Sequence, residues 1–274
     1  MRRLLTAHGY AHSPKWASTA TDKNAVNTPL ASACVEPISL EVQEGVLDSL
    51  EMLNTLYEYN HWVYSKIRPF IKGSVCEVGC GIGNGIQFLL NHDHVLGLEP
   101  FPESISRAQE RFADHRNVRF VQSWLSECPN DEVPAGSFDS VICLRVLEYI
   151  QDDQQALVQM RELCKPGGTV VILAAAHKSA YGTLDEVYGH LRRYDRRGLT
   201  CMFRKAGLTP LQRFYTNAPG YFGWLWHSRI LRSRKISESA ALMSNRLAPF
   251  LDAFDRMIRL PFGQSLVMVG TPQP

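Results

Sequence analysis

Residues 74–85 read Ser74-Val-Cys-Glu-Val-Gly-Cys-Gly-Ile-Gly-Asn-Gly85, and this stretch decides the fold. A β-favouring run that carries Glu77 breaks into alternate glycines, from Gly79 to Gly85. Because glycine tolerates backbone angles that other residues avoid and lets a ligand approach the chain, we predict a strand, a tight turn and then a helix. The next apolar run ends in Glu99, about 20 residues after the first glycine, where a βαβ unit places an acid that binds a ribose. Together the two features predict a site for a nucleoside cofactor.

The spacing of the glycines argues against a dinucleotide. The fingerprint Gly-x-Gly-x-x-Gly, counted from Gly79, ends on Asn84, and counted from Gly81 it ends on Ile86. A pyrophosphate on the helix N-terminus would also lie close to the carboxylate of Glu77. An acid at this position instead suits a ligand that carries an ammonium group and a sulfonium.

Three segments resemble one known family. The pattern Glu-x-Gly-x-Gly-x-Gly in residues 77–83 resembles the first motif of the class I S-adenosylmethionine-dependent methyltransferases. Residues 137–150 are similar to that family's fourth-strand motif, and residues 163–173 are similar to its helix, Pro-Gly-Gly turn and fifth strand. The segments follow in family order. The resemblance implies an α/β fold: a Rossmann-like, seven-stranded methyltransferase sheet, mostly parallel with an antiparallel last strand, and helices on both faces.

The chain divides into five segments. We predict a disordered tail at 1–36, an N-terminal helical cap at 37–73, the cofactor-binding core at 74–217, a helical and aromatic insertion at 218–262, and the last strand with the C-terminus at 263–274. Within the core, helices are predicted at 84–91, 102–113, 152–164 and 195–205. The strand candidates 211–216 and 265–270 form a hairpin in the family, but here about 45 residues separate them, far more than a hairpin loop. The sequence leaves open whether this insertion packs on the core, contacts another subunit or covers the acceptor.

The resemblance also implies the residues of an S-adenosylmethionine site. Glu77 should hold the amino group, unless it is a buried acid bonded only to nearby backbone, and Glu99 should accept hydrogen bonds from both ribose hydroxyls. The family commonly has an acid where Trp124 stands, so the usual hydrogen bond to the adenine amino group is in doubt and an aromatic contact is the alternative. The full set implied for the cofactor is Glu77, Gly79, Cys80, Gly81, Gly83, Glu99, Pro100, Ser123, Trp124, Leu125, Leu144 and Arg145.

Methyl transfer is an in-line displacement in which the cofactor carries the electrophile. The protein supplies alignment, a dry cavity and, for a hydroxyl or an acidic carbon, a base. His190 is the first candidate base, because residues 181–195 are similar to a His-x-Arg-x-Tyr/Phe segment of many small-molecule members. Tyr149 is the second and His177 the third; alternatively, His190 only anchors its loop and residues 192–194 form a structural clamp. The side chains expected at the acceptor are Tyr57, Tyr59, Tyr181, Tyr188, Arg193 and Trp224.

The composition indicates a reduced protein without a strong net charge. Lys and Arg number 29 against 27 Asp and Glu, so the net charge of +2 predicts no recruitment of nucleic acid by charge alone. Seven cysteines are scattered without a Cys-x-x-Cys pair, which favours buried thiols in a cytoplasmic protein and no metal. No apolar stretch reaches the ~20 residues that span a bilayer.

The sequence therefore predicts a cytoplasmic, S-adenosylmethionine-dependent methyltransferase. Its acceptor is expected to be small and apolar or lipid-like, such as a specialised metabolite or a glycan or lipid intermediate. Two other functions stay open: a catalytically silent protein that binds S-adenosylmethionine or serves assembly, and an NAD(P)-dependent oxidoreductase. A homo-oligomer formed through the insertion or the N-terminal helices is also left open.

Overall fold

A mixed sheet of seven strands forms the centre of the protein. The structure is a computed structural model that describes residues 40–235, 237–257 and 260–273. In this part of the chain the strands are β1 (Val75–Val78), β2 (Val95–Glu99), β3 (Val118–Gln122), β4 (Phe138–Leu144), β5 (Cys164–Ala175), β6 (Leu208–Thr216) and β7 (Ser265–Pro272). Their order is β3-β2-β1-β4-β5-β7-β6. The first five pair in parallel, and β7 runs antiparallel to β5 and β6, which confirms the predicted sheet.

The order of the strands reverses between β1 and β4. From β1 the sheet continues through β2 and β3 on one side and through β4 and β5 on the other. Open parallel sheets bind ligands in the crevice at such a point, beyond the carboxyl ends of the strands. Every residue of β1 and β2 is buried, because both faces of the sheet are covered. The turns that follow β1 and β4 therefore meet at the place where a ligand is expected.

Helices cover both faces of the sheet. In the described ranges they are α1 (Leu40–Asn54), α2 (Tyr57–Ile67), α3 (Pro102–Arg111), α4 (Asp153–Leu163), α5 (Thr183–Val187), α6 (Arg196–Lys205), α7 (Ala218–Leu225) and α8 (Glu238–Met257). On one face, Leu157 of α4 and Phe203 of α6 pack against alternate residues of the strands. On the other face, Ile67 of α2 and Phe112, which follows α3, pack against the residues between them. The core thus consists of two apolar layers separated by the sheet.

Local signals explain where two core helices begin and end. Asp152 Oδ1 accepts a hydrogen bond from the Gln155 N–H at 2.9 Å at the start of α4, and Asp195 Oδ1 accepts one from the Gly198 N–H at 2.7 Å at the start of α6. Gly207, with φ of +76°, ends the second of these helices. The helices predicted at 102–113, 152–164 and 195–205 are confirmed, with ends that differ by no more than two residues.

The helix predicted at 84–91 is wrong. The structure has turns there, with one 3-10 turn at Ile86–Phe88 in which the Phe88 N–H donates to Gly85 O at 3.0 Å. Gly83 lies in the left-handed region at φ +82°, so a regular helix could start only after it. Asn84 makes other bonds: its side-chain amide donates to Leu50 O at 2.8 Å, and its backbone oxygen accepts from the Gln87 side chain at 2.8 Å, which holds the segment in turns. A second difference is that β5 begins at Cys164, so its bounds include the turn at 166–168.

The insertion between β6 and β7 is helical, as predicted. It consists of α7, one turn of π-helix at Trp226–Ile230, and α8. The N-terminal helix α2 packs against α8, since Lys66 Nζ lies 2.7 Å from Asp252 Oδ1 and the Tyr59 N–H donates to Asn245 Oδ1 at 2.9 Å. Among the residues described, no helix combines the length and the apolarity needed to cross a bilayer. The predicted tail at 1–36 lies outside the described residues, and the division into five segments stays a prediction.

Candidate active site

The turn after β1 presents backbone rather than side chains to the crevice. Gly79 and Gly81 adopt left-handed conformations, with φ of +73° and +54°. The Gly79 N–H donates to Leu98 O at 2.8 Å, which holds the turn against β2. A β-carbon at Gly79 would lie 2.5 Å from the Val146 side chain, and one at Gly81 would lie 2.9 Å from the side chain of Leu50 in α1. The glycine turn is therefore enclosed by α1 and by the turn after β4, and it has no room for larger residues.

Glu77 is a buried carboxyl beside this turn. Its side chain is 3% exposed, and its oxygens lie against Gly85. Among the residues that the structure describes, Oε2 has no hydrogen-bond partner. Burial, with a smaller contribution from the charge of Glu99, raises the pKa of Glu77 to about 8. Buried polar atoms are almost always paired, so this oxygen marks a position where a cationic group of a ligand would be held.

Glu99 ends β2 on the other side of the same turn. It is buried, and its two oxygens accept hydrogen bonds from the Gly81 N–H at 2.9 Å and the Phe101 N–H at 3.2 Å. Burial raises its pKa to about 6, although these two backbone hydrogen bonds lower it. Each carboxylate oxygen keeps capacity for a further hydrogen bond. The backbone thus fixes the orientation of Glu99 and leaves it able to accept from vicinal hydroxyls.

These residues fit S-adenosylmethionine. The glycine turn supplies a narrow cradle, Glu77 an acid without a partner for an ammonium group, and Glu99 an oriented acid for a ribose. Cys80, also in the cradle, is buried, and its N–H donates to Leu98 O at 3.1 Å. The fit rests on two carboxyl groups that are costly to bury near each other unless a ligand with positive charge and hydroxyls accompanies them.

The residues predicted near the adenine follow β2 and β3. The Ser123 N–H donates to Glu99 O at 3.2 Å, which joins the ends of the two strands. Trp124 is 37% exposed and meets Phe101 edge to face at 5.5 Å between ring centroids, and Leu125 begins a 3-10 turn. Phe101 was missed by the sequence reasoning, although its position directly after Pro100 could have indicated it. Two aromatic rings therefore stand where the family commonly has an acid.

The turn after β4 connects this cradle to α2. Leu144 ends β4, and Arg145 follows it with φ of +59° and an N–H that donates to Leu173 O at 2.7 Å. The Arg145 Nη2 donates to the hydroxyl of Tyr59 at 2.7 Å, and the guanidinium lies over the ring of the same tyrosine. Tyr57, also of α2, is 53% exposed and packs on Phe88 at 5.7 Å between centroids. Arg145, predicted at the cofactor, and Tyr59, predicted at the acceptor, thus contact each other.

A second polar cluster centres on Asp185 in α5. This carboxylate is fully buried and accepts hydrogen bonds from His190 Nδ1 at 2.8 Å, Arg193 Nε at 2.7 Å and Trp224 Nε1 at 3.2 Å. Burial by itself raises the pKa of Asp185, but the hydrogen bond from His190 and the charge of Arg193 together hold it below its ordinary value. The sequence reasoning missed Asp185. The one sequence feature that could have indicated Asp185 is its position five residues before His190.

His190 is oriented by this carboxylate. With Nδ1 bonded to Asp185 Oδ1, the other ring nitrogen, Nε2, carries the lone pair that can accept a proton. The ring meets Tyr149 edge to face at 5.0 Å and lies parallel to Trp224 at 6.2 Å. Burial, together with the charge of Glu148, raises the pKa of Tyr149, so its phenolate is costly to form. Of the two principal bases predicted, His190 has the geometry suited to the role.

Glu148 is a further residue that the sequence reasoning missed. It is fully buried, and in the described ranges its Oε2 has no hydrogen-bond partner. Burial raises its pKa, while the positive charges of His190 and Arg145 lower it. The Leu191 N–H donates to its backbone oxygen at 2.9 Å, which ties the turn after β4 to the His190 loop. This turn touches both sites, since Val146 contacts the glycine turn and Tyr149 contacts His190.

The remaining predicted acceptor residues have identifiable contacts. The Tyr181 hydroxyl donates to His190 O at 2.9 Å, and the ring of Tyr188 lies 6.5 Å from that of His190. Arg193 donates to Ala176 O at 3.0 Å as well as to Asp185, and it stacks over Trp224 at 4.5 Å. These bonds favour the alternative in which Arg193 holds the loop. His177 is the third base candidate. Its Nε2 accepts a hydrogen bond from the Gly263 N–H at 3.4 Å, so this nitrogen is already occupied.

Residues 76–170 match a family described as a methyltransferase domain. This stretch is a methyltransferase domain, and it contains the motifs that resemble those of the class I S-adenosylmethionine-dependent methyltransferases. A methyltransferase structure from Thermotoga maritima superposes with a TM-score of 0.61 at 16% identity, over 86% of this chain and 100% of the other, and shows the same fold.

Relatives with curated names match over less than half of this chain. A tRNA U34 carboxymethyltransferase of Shewanella piezotolerans is 29% identical over 40% of this chain and 35% of its own length. The human thiol S-methyltransferase TMT1B is 28% identical over 36% of this chain and 41% of its own length. The matches span well under half of these relatives, and their acceptors differ from each other. These relatives therefore do not identify an acceptor, which must be inferred from the residues of this chain.

Proposed function

We propose that this methyltransferase transfers the methyl group of S-adenosylmethionine to a small acceptor, with His190 as the base. The observation that carries the proposal is the Asp185–His190 pair. The turn after β4 contacts the glycine turn through Val146 and the His190 ring through Tyr149, which supports a single site. In the proposal, His190 faces the methyl group of the donor from the far side of this turn.

The residues around the cradle divide the binding of the donor. Glu77 holds the ammonium group, the glycine backbone encloses the methionine portion, and Glu99 accepts hydrogen bonds from the ribose hydroxyls. The bound donor supplies a methyl group activated by the positive charge on sulfur. Ionised Glu77 also replaces part of the solvation that the ammonium group loses on entering a buried site.

His190 then acts on the acceptor. As the acceptor atom forms a bond to the methyl carbon and the carbon–sulfur bond breaks, Nε2 of His190 takes the proton of the acceptor. Asp185 stabilises the resulting imidazolium through the hydrogen bond to Nδ1 and keeps the ring in the productive tautomer. Arg193 holds Asp185 in place from the opposite direction.

The surroundings of His190 support a small and partly apolar acceptor. Tyr149, Tyr188 and Trp224 place three aromatic rings within 6.5 Å of the His190 ring, between centroids. Such walls exclude water and bind apolar surface. We include a lipid-like molecule or a glycan or lipid intermediate in this class, a cytoplasmic location, and chemistry without a metal; these remain predictions.

Transfer of a labelled methyl group to a panel of phenols, thiols, amines and prenylated acceptors tests the proposal. Turnover is expected with at least one class, and the His190→Gln variant should lose it while still binding S-adenosylhomocysteine. The matched control is His94→Gln, an exposed histidine after the glycine turn. Binding of the donor product without transfer to any acceptor would support the silent, assembly function instead, and turnover that His190→Gln leaves intact would overturn the role of the base.

A further inference from the structure

An exposed apolar ridge runs along α7 and the π-turn. Phe222, Trp226 and Ile230 follow at intervals of four residues and are 59%, 53% and 63% exposed. The residues between them on the opposite side, Trp224 and Ser228, are 8% and 1% exposed. Because side chains four apart share one face of a helix, this segment buries one face in the protein and presents large apolar side chains on the other.

The ridge is held firmly by its buried face. Thr183 Oγ1 of α5 donates to Ser228 O at 3.0 Å and to Ser233 O at 2.9 Å. Arg229 Nη1 donates to Tyr181 O at 2.8 Å, and a β-carbon at Gly182 would collide with Ser228. The exposure of the apolar side chains therefore belongs to a packed element of the fold.

Basic residues lie beside the ridge. The Ser233 N–H donates to His227 O at 2.8 Å, which turns residues 232–235 back against the π-turn. Arg232, Arg234 and Lys235 are exposed there, and none of the three pairs with an acid in the described part of the chain.

The positive charge of this region exceeds that of the whole protein. From residue 214 to residue 237 the sequence contains four Lys or Arg and no Asp or Glu, although the whole chain has a net charge of only +2. The other residues together must be negative. The ridge thus lies in a segment that carries positive charge without compensation from acids in the same segment.

We propose that this face binds the surface of an anionic lipid bilayer. Phe222, Trp226 and Ile230 enter the boundary between headgroups and acyl chains, while Arg232, Arg234 and Lys235 contact lipid phosphates. Bulky apolar side chains flanked by basic residues are the signature of interfacial membrane binding. The proposal is independent of methyl transfer.

Two other occupants fit the face less well. A second copy of the chain, joined about a two-fold axis, would place the same basic segment against itself, and like charges would oppose the contact. RNA would be attracted by the charge and could stack on Trp226, but it offers nothing for Ile230 and little for an apolar ridge. The lipid surface satisfies both the charge and the apolar side chains.

Sedimentation of the full-length protein with vesicles tests the proposal. Binding is expected to phosphatidylcholine vesicles that contain 30% phosphatidylglycerol and not to pure phosphatidylcholine, and higher salt should weaken it. The double variant Arg234→Glu/Lys235→Glu should lower the affinity at least about 30-fold, since each lost charge weakens binding several-fold. The double variant Trp226→Ala/Ile230→Ala should lower it at least about tenfold.

The matched control is Arg204→Glu/Lys205→Glu, which reverses an exposed Arg-Lys pair at the end of α6. It should bind vesicles nearly as well as the wild type, and all variants should bind S-adenosylhomocysteine as the wild type does, which shows that they fold. If the control variant lost as much vesicle affinity as Arg234→Glu/Lys235→Glu, binding would depend on overall charge and not on this face, which would overturn the proposal. Absence of vesicle binding would overturn it as well, whether the protein then dimerises through Trp226 and Ile230 or binds RNA through Arg234 and Lys235.

Discussion

Replacing Glu77 by Gln should change folding stability and donor binding in opposite directions. Burial raises the pKa of Glu77 to about 8, whereas a glutamate in an unfolded chain titrates near ~4.3. Between these values the folded protein keeps a proton that the unfolded chain releases, so the free energy of unfolding falls as the pH rises. The slope is about 1.4 kcal/mol per pH unit, which makes the loss roughly 3 kcal/mol between about pH 5.5 and about pH 7.5.

Glutamine has no such proton to lose. The free energy of unfolding of Glu77→Gln, relative to the wild type, should therefore rise by roughly 3 kcal/mol over the same two pH units. Glu99, whose pKa burial raises to about 6, contributes a similar pH dependence to both proteins and largely cancels in the difference. The buried amide at position 77 has no partner in the variant, which lowers its free energy of unfolding by about 1–3 kcal/mol at every pH. This cost does not change how the free energy of unfolding depends on pH.

The same variant should bind the donor product more weakly. A hydrogen bond to a charged group contributes about 1.5–3 kcal/mol, so loss of the carboxylate should weaken S-adenosylhomocysteine binding about 10- to 150-fold. Urea unfolding at about pH 5.5 and about pH 7.5 measures the first effect, and calorimetric titration at about pH 7.5 measures the second. Glu127→Gln, at an exposed position, is the control. A variant whose stability parallels the wild type at both pH values and whose affinity is unchanged would refute the role given to Glu77.

Three further predictions address the turn, the ribose acid and the base. Gly79→Ala should lower the free energy of unfolding by about 2–4 kcal/mol, because alanine is strained at φ +73° and its methyl group would collide with Val146. Urea denaturation measures this loss, and a value below about 1 kcal/mol would contradict the close packing at Gly79. Glu99→Gln should weaken S-adenosylhomocysteine binding about tenfold by calorimetry while adenine alone binds as before, and an equal loss for both ligands would assign it another role. His190→Gln should lower kcat at least about 100-fold, with the donor dissociation constant unchanged. A loss confined to KM would make His190 a binding residue.

The strands and the donor cradle could be predicted because local sequence determines them. A strand buried on both faces is mainly apolar, with Glu77 as the exception in β1, and a left-handed turn favours glycine. The strands β1 and β4 and the turn at Gly79 and Gly81 are therefore visible in the sequence. The same holds for the caps at Asp152 and Asp195, whose side chains bond within three residues.

The remainder depends on contacts between distant segments. Asp185 is an ordinary helix residue until the fold brings Trp224, which is 39 residues away, to its carboxylate. Glu148 gains its character only from burial beneath the His190 loop. The helix expected after Asn84 does not form, because Asn84 bonds to Leu50 of α1 and to the Gln87 side chain. No local pattern records these constraints, so a reading of composition and spacing could not have found them.

The central claim is that the glycine turn after β1, with Glu77 and Glu99, binds S-adenosylmethionine. Calorimetric titration of the wild-type protein with S-adenosylhomocysteine at pH 6 and pH 8, near the pKa values of the two acids, tests it most directly. One molecule should bind per chain, and the affinity should rise about 10- to 100-fold between the two pH values as the carboxyl groups ionise. Absence of binding at the higher pH, or an affinity that falls as the pH rises, would contradict it.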